Sequence, residues 1–320
     1  MISSKSWISA GAAMLGAGAL ICGISFATMG FDFAKLGTVE YVTNTTDVEE
    51  KFQHITINAN IEDVALVPAD DGACKVVCFE PKDDPYKVSV NKDTLIIEKE
   101  KKQGWHLFDF GSVTENPKIT VYLPDDSYKA LLIDTDTGDV DVPADFSFES
   151  ISIESDTGDA SCDASADEGI EIKSNTGDII ITDVSAKELK LTSDTGKMNI
   201  SDAEISEDVT IRENTGNVSM KNVTCKKFTS KEDSGDLTMT SVRAEEEFNL
   251  ESDTGDIRFD GCDAETISIK TDTGDVTGTL LSEKVFITDS DTGNIDVPKT
   301  TTGGKCEITT DTGDIKIDIK

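Results

Sequence analysis

Histidine is almost missing from this chain: its 320 residues contain two, His54 and His106, far apart in sequence. Neither a Ser-His-Asp arrangement nor a histidine-rich metal centre can be assembled from them. Aromatic residues make up 6 % and apolar residues 37 %, too little to fill a thick globular interior, so a thin, elongated structure with a narrow core fits better. Basic residues are outnumbered 29 to 63, for a net charge of −34. That charge argues against nucleic acid as a partner and repels anionic lipid. Cationic peptides, cationic polymers and divalent metals are the complementary classes, although the charge also serves simply to keep a long β-rich surface soluble. The cysteines number 7, an odd count that does not describe a disulfide framework. Cys74 and Cys78, four residues apart on an extended strand, would stand about 13 Å apart, beyond bonding reach. They are expected to act as small buried apolar side chains.

Long uncharged runs are absent but for one, "WISAGAAMLGAGALICGISFATMGF", residues 7–31. As a helix it exceeds the roughly 30 Å of a bilayer core. Lys5 and the amino terminus precede it, and Asp32, Lys35 and Glu40 follow. This weak bias places residues 1–6 in the cytoplasm and the remainder outside the cell membrane. A cleaved signal peptide, with Ser25-Phe26-Ala27 as the cleavage site, is the alternative and would give a secreted protein. A lipoprotein would need a small residue before Cys22, where Ile21 stands.

What the chain has in plenty is one motif. "SDTGD" at residues 155–159 recurs in variants whose glycines are Gly138, Gly158, Gly177, Gly196, Gly216, Gly235, Gly255, Gly274, Gly293 and Gly313, at intervals of 19 or 20 residues. Asp-Thr-Gly carries the catalytic carboxylate of aspartic proteases, but those enzymes bring two carboxylates to one proton and have no use for a file of ten. Asn175 and Asn214 replace the aspartate in two copies, which would end catalysis and yet preserve a turn. Two residues after each glycine stand Val140, Ala160, Ile179, Met198, Val218, Leu237, Ile257, Val276, Ile295 and Ile315. Apolar residues return four after it, and again seven and five before it. This is period-2 alternation with one face buried. Each repeat reads as strand, tight turn, strand and a looser return, too small to bury its own apolar face. Stacked copies give an all-β, parallel β-solenoid (β-helix-like) of about ten 19–20-residue coils, a rod roughly 50 Å long at about 4.8 Å per coil. The turn calls for glycine at positive φ, and for Asp or Asn two residues earlier to close an Asx turn.

The remaining segments flank this repeat. Residues 32–50 read as a linker and residues 51–130 as an N-terminal β region that caps the solenoid of residues 131–320. Residues 55–70, "ITINANIEDVALVPAD", parallel residues 131–146 and read as a degenerate coil. "NKD" marks a hairpin turn and "PKITVYLPDD" another strand. "QGWHLFDFG", residues 103–111, is a core-end plug or a binding loop. The closing "IKIDIK" reads as the terminal strand, whose outward Lys316, Asp318 and Lys320 discourage edge-to-edge association.

The acidic ladder is the foremost candidate site. One column, two before the glycine, includes Asp136, Asp156, Asp253, Asp272 and Asp311; the other, one after it, includes Asp139, Asp159, Asp256, Asp275 and Asp314. Carboxylates about 5 Å apart repel by nearly 1 kcal/mol even in water, and calcium would relieve that with oxygen ligands. Asn175, Asn214 and Lys197 interrupt the columns and lower the charge without a metal. No catalytic residue, cofactor or committed metal ligand is assigned.

With its short N-terminal membrane segment, its "DTDTGDV" repeats and its closing "TTTGGKCEITTDTGDIKIDIK", the chain past residue 35 resembles a bacterial family of β-strand-repeat proteins, domain of unknown function 4097, whose adhesin label is provisional. The resemblance implies an envelope-associated β-solenoid, in some members linked to sensing envelope stress or cationic peptides, and brings no catalytic residues. The expectation is therefore a non-enzymatic, membrane-anchored cell-envelope protein that binds or adheres to an unknown surface ligand. The alternatives are an envelope sensor taking Ca2+ or cationic peptides along the ladder and, more remotely, a carboxylate-based hydrolase.

Overall fold

The computed structural model describes residues 40–99 and 116–320. Residues 7–31, read as the anchor, and residues 103–111, read as an aromatic plug or loop, lie outside the described residues. Every described element is a β-strand, and among the described residues no helix is long and apolar enough to cross a membrane.

The repeats stack as a parallel β-solenoid. Ser147–Thr157 pairs in parallel with Ser127–Thr137 on one side and Ser165–Thr176 on the other. The register superposes equivalent repeat positions: Leu131, Ile151, Ile170, Leu189, Val209, Phe228, Phe248 and Ile267 form one inward column. Val140, Ala160, Ile179, Met198, Val218, Leu237, Ile257 and Val276 form a second. All of these residues are buried. In-register stacking is the arrangement that carries every apolar stripe into one continuous interior, because a one-residue slip would turn it to solvent.

The corner at each Asp-Thr-Gly is set by contact between coils. Gly158 has φ +128°, and a Cβ added there would lie 2.3 Å from the Gly138 carbonyl oxygen; at Gly177 the same contact, to Gly158, would be 2.0 Å. The expected Asx turn is not what closes the corner. The Gly158 amide donates instead to the Thr176 carbonyl of the next coil at 2.9 Å, and Gly177 to Thr195 at 3.0 Å, so the glycine N–H is not free for the preceding aspartate. The return segment is also more regular than expected. It pairs from coil to coil (Ala166 with Ala186, Ala186 with Ile205, Cys225 with Ala244) and makes a third ladder. A second corner precedes it in the left-handed conformation at Asp183, Asp202, Asn222, Ser241 and Gly261, with φ from 53° to 63°.

At the N-terminal end, His54–Ala59 stacks under the first Asp-Thr-Gly coil with Ile55 opposite Leu131 and Ile57 opposite Ile133, and Val64 lies opposite Val140. This is the correspondence between residues 55–70 and 131–146 seen in the sequence. Thr94–Lys99 and Lys118–Leu123 add one more parallel layer. Antiparallel strands Tyr86–Asn91, Cys74–Pro81 and Tyr41–Val48 then close this end.

The C-terminal end departs from sequence order. Gly304–Thr312 and Ile315–Ile319 do not form the terminal coil. They lie between Thr266–Thr273 with Val276–Leu280 on one side and Lys284–Thr292 with Ile295–Asp296 on the other. In "IKIDIK", Ile315 and Lys316 are therefore paired on both sides and Ile317–Ile319 on one, and the outermost coil is Lys284–Thr292 with Ile295–Asp296. The inward residues explain the exchange. Cys306, Ile308, Ile315 and Ile317 are apolar and fully buried, whereas the outer coil presents Phe286, Thr288 and Ser290 inward. The more apolar coil takes the covered place. Double spin labelling tests this order at Lys270→Cys/Thr309→Cys and Lys270→Cys/Asp289→Cys. The first pair should be closer by about 5 Å, one strand spacing; the reverse order would restore sequential stacking.

Candidate functional site

Of the two acidic columns, the one after the glycine has a structural task. Asp159 N–H donates to Asp139 Oδ1 at 2.9 Å, Asp178 to Asp159 at 2.8 Å, Asp256 to Asp236 at 2.9 Å, Asp275 to Asp256 at 2.8 Å and Asp314 to Asp275 at 2.7 Å. Each carboxylate thus holds the amide of the next coil, a charge-assisted bond that offsets some of the repulsion up the column. Arg258 adds an ion pair to Asp236 at 3.2 Å and another to Asp256. In the other column Asp136, Asp156, Asp253, Asp272 and Asp311 are exposed. There the asparagines act as clamps: Asn175 Nδ2 donates to Asp156 at 2.7 Å and Asn214 Nδ2 to Asp194 at 2.9 Å. The candidate residues are therefore brought into two files along one edge rather than into a cluster. Among the described residues no group of three or more His, Cys, Asp or Glu is placed to hold a metal ion.

A groove of about 700 Å³ runs over the return ladder. Ala166, Ala186, Ile205, Cys225 and Ala244 are buried beneath it, and Asp167, Lys187, Glu204, Arg243 and Glu245 line it. Small floor residues at one strand spacing per coil make it long and shallow, suited to an extended ligand rather than a compact substrate. Sequence reading missed it because it took the return as looser than the strands and did not place it in a ladder of its own.

The interior also holds polar side chains. Three residues before the glycines from Gly138 to Gly274, Thr135, Ser155, Ser174, Ser193, Glu213, Glu232, Ser252 and Thr271 are buried in register. The signal was available: position −3 has the same parity as the apolar positions −5 and −7, so its side chain must face inward. Burial raises Glu213 to about 7 and Glu232 to about 7. Burial likewise raises the thiols, Cys74 to about 11 and Cys306 to about 12, and all six described cysteines are free and buried. They are unreactive core residues, as expected. Near the N-terminal cap, Glu62 is fully buried but satisfied by the Asn60 and Ile61 amides, the Tyr86 hydroxyl and Lys99 at 3.0 Å.

A parallel β-solenoid with glycine corners and two acidic files is a repeat scaffold. The family model described as Toastrack DUF4097 matches residues 52–207 and 202–320, and the chain belongs to that family. Among solved structures, it is similar to a Bacteroides fragilis protein provisionally named an adhesin, at 14 % identity, covering 87 % of this chain and 97 % of that one with a TM-score of 0.42. A Parabacteroides distasonis protein provisionally named lipid-binding matches at 16 % identity, covering 86 % and 97 %, with a TM-score of 0.48. Another from Parabacteroides distasonis, provisionally named an adhesin, matches at 11 % identity, covering 88 % and 98 %, with a TM-score of 0.36. No curated protein matches the chain.

The glutamate pair gives the solenoid a pH dependence. In the unfolded chain these groups titrate near 4.5, and in the folded one near 7. The folded state then binds more protons between those values, so their contribution to stability is complete below about 4.5 and is lost as pH rises through about 7. In chelator-treated buffer, denaturant unfolding should show stability falling by several kcal/mol across that window. Glu213→Gln/Glu232→Gln should remove that part of the slope; an unchanged slope in the double variant contradicts the assignment.

Proposed function

We propose that this chain is a non-enzymatic binding scaffold of the cell envelope, held to the membrane by residues 7–31 with its solenoid outside the cell. The observation that carries the reading is the linear form of its surfaces. The acidic edge and the groove each repeat one motif coil after coil, so contacts can add along an extended partner. A hydrolase needs two carboxylates across one bond at a set separation, whereas the exposed aspartates here run in file and half of them are bonded to backbone amides. Adhesion to a surface ligand is the activity this arrangement serves.

A second reading has its own support. Asp139, Asp159 and Asp275 each accept the neighbouring coil's amide at Oδ1, which leaves their Oδ2 atoms along the edge for divalent ions or cationic peptides, while Arg258 takes Oδ2 of Asp236 and of Asp256. This sensor role would use the same edge.

Labelling intact cells that express the full chain with a membrane-impermeant amine reagent tests the placement. Exposed lysines of the solenoid should react on intact cells; reaction only after lysis overturns it. The binding role is tested by filling the groove with Ala186→Trp and Ala244→Trp. Cell attachment conferred by the chain should fall several-fold while surface level is unchanged. Attachment equal to that of cells lacking the chain, before any substitution, would remove the adhesive function.

A further inference from the structure

The two ends of the rod are finished differently. Antiparallel strands Tyr86–Asn91, Cys74–Pro81 and Tyr41–Val48 close the N-terminal end. At the other end Lys284–Thr292 and Ile295–Asp296 form the last coil, and no strand among the described residues pairs with their outer edges. Inward columns that are sealed elsewhere are open here. Ile295 continues the column of Val276 and Ile315, which are fully buried, yet it is 44 % exposed. Phe286 and Val297 are likewise only partly buried against the core. The outward columns change character as well. Ile287 ends a file that runs through Thr210, Thr229, Asn249, Ser268 and Glu307, and it is 51 % exposed. Val285, beside Lys305, is exposed too.

A terminal repeat needs a polar outer face to stay soluble, and an edge strand needs charge, proline or a bulge to avoid pairing. Val285–Thr288 has neither charge nor proline and lies in unbroken register with Lys305–Ile308. Lys284, the nearest cation, is buried and bound to Asp263 at 2.6 Å, so it does not guard the edge. Residues 100–115 cannot supply the cover, because they leave Lys99 and return to Lys118–Leu123, both at the capped end. Doubling back at about 3.5 Å per residue they reach about 28 Å, short of a rod of about 50 Å. Residues 1–39 also enter at the cap, before Tyr41–Val48, and carry the run assigned above to the membrane.

A second copy of the same coil meets these requirements. Turned end to end about a two-fold axis, two Lys284–Thr292 strands run antiparallel, and each gains a paired edge. The pairing centred on Ile287 sets that residue against its own copy, Phe286 against Thr288 and Val285 against Asp289. Inward residues then meet inward ones and outward meet outward, as a continued sheet demands. The two copies of Asp289 stand about 14 Å apart, beyond the Debye length of about 8 Å at physiological salt. Pairing stops short of Glu283 and Asp291, whose like charges would otherwise meet. The capped far ends present no second open coil, so the assembly closes at two copies.

We propose that the last coil is a self-association face, at which two copies of this chain join end to end through antiparallel pairing of residues 285–289. This goes beyond the binding role above and holds whether or not residues 7–31 anchor the chain.

Disulfide trapping of the purified full chain in detergent tests it. Cys22 is replaced by Ser, and the six described cysteines are buried, so only an introduced thiol is exposed. Under mild oxidation Ile287→Cys should give a linked dimer, several-fold more than Leu132→Cys, a comparably exposed site (43 %) on the first Asp-Thr-Gly coil. Val285→Cys chains mixed with Asp289→Cys chains should yield more linked dimer than either alone. Adding Ile287→Lys, which sets two like charges face to face, should abolish that mixed product without lowering the melting temperature. No dimer at Ile287, equal trapping at Leu132, or a mixed product that survives Ile287→Lys overturns the proposal. So does mixed trapping no greater than single-site trapping, which would mean that the ends touch without pairing their strands.

Discussion

Each coil rests on its neighbour through a glycine whose missing Cβ leaves room for a carbonyl oxygen. The contact begins at the cap, where the Cβ of Gly138 would lie 2.5 Å from the Glu62 carbonyl, and runs through Gly158, Gly177 and onward to Gly274, which would strike Gly255 at 1.9 Å. It also records the exchange of order at the far end: Gly313 lies against Gly274, and Gly293 against Gly313. No other residue brings two backbones so close. From that approach follow the register of the inward columns, the alignment of each aspartate with the amide above it, and the stacking of Ser193, Glu213, Glu232 and Ser252.

Much of this architecture could be read from the chain. The period fixed the coil, parity separated inward from outward residues, and the kinship of residues 55–70 with 131–146 foretold Ile55 over Leu131. What escaped depends on neighbours that are distant in sequence. The Asx turn was reasoned within one repeat, but the glycine amide is claimed by a threonine of the next coil. Likewise, an aspartate that looks like a charge in a ladder is an acceptor for a backbone amide 19 or 20 residues away. The order of the last two coils could not come from periodicity, because both satisfy the motif. It turns on Thr288 and Ser290 facing inward where Ile308 and Thr310 face inward in the other coil.

Function in such a rod is distributed. Its edge and groove offer many weak, equivalent contacts, and their number grows with the coils engaged. Inside, the same repetition turns a single polar position into a file, which costs stability wherever hydroxyls or carboxyls lack partners. Retaining two adjacent glutamates in that file is a local departure from the otherwise hydroxyl-lined pattern.

Repeat proteins need not unfold in one step, so the glycine contact is best probed locally, by amide hydrogen exchange of Gly158→Ala. Backbone strain and overpacking together should lower the opening free energy of Ser147–Thr157 and Ser165–Thr176 by about 3 kcal/mol or more. Protection within about 0.5 kcal/mol of the wild type would mean that the coils do not depend on this contact, and the account would fail.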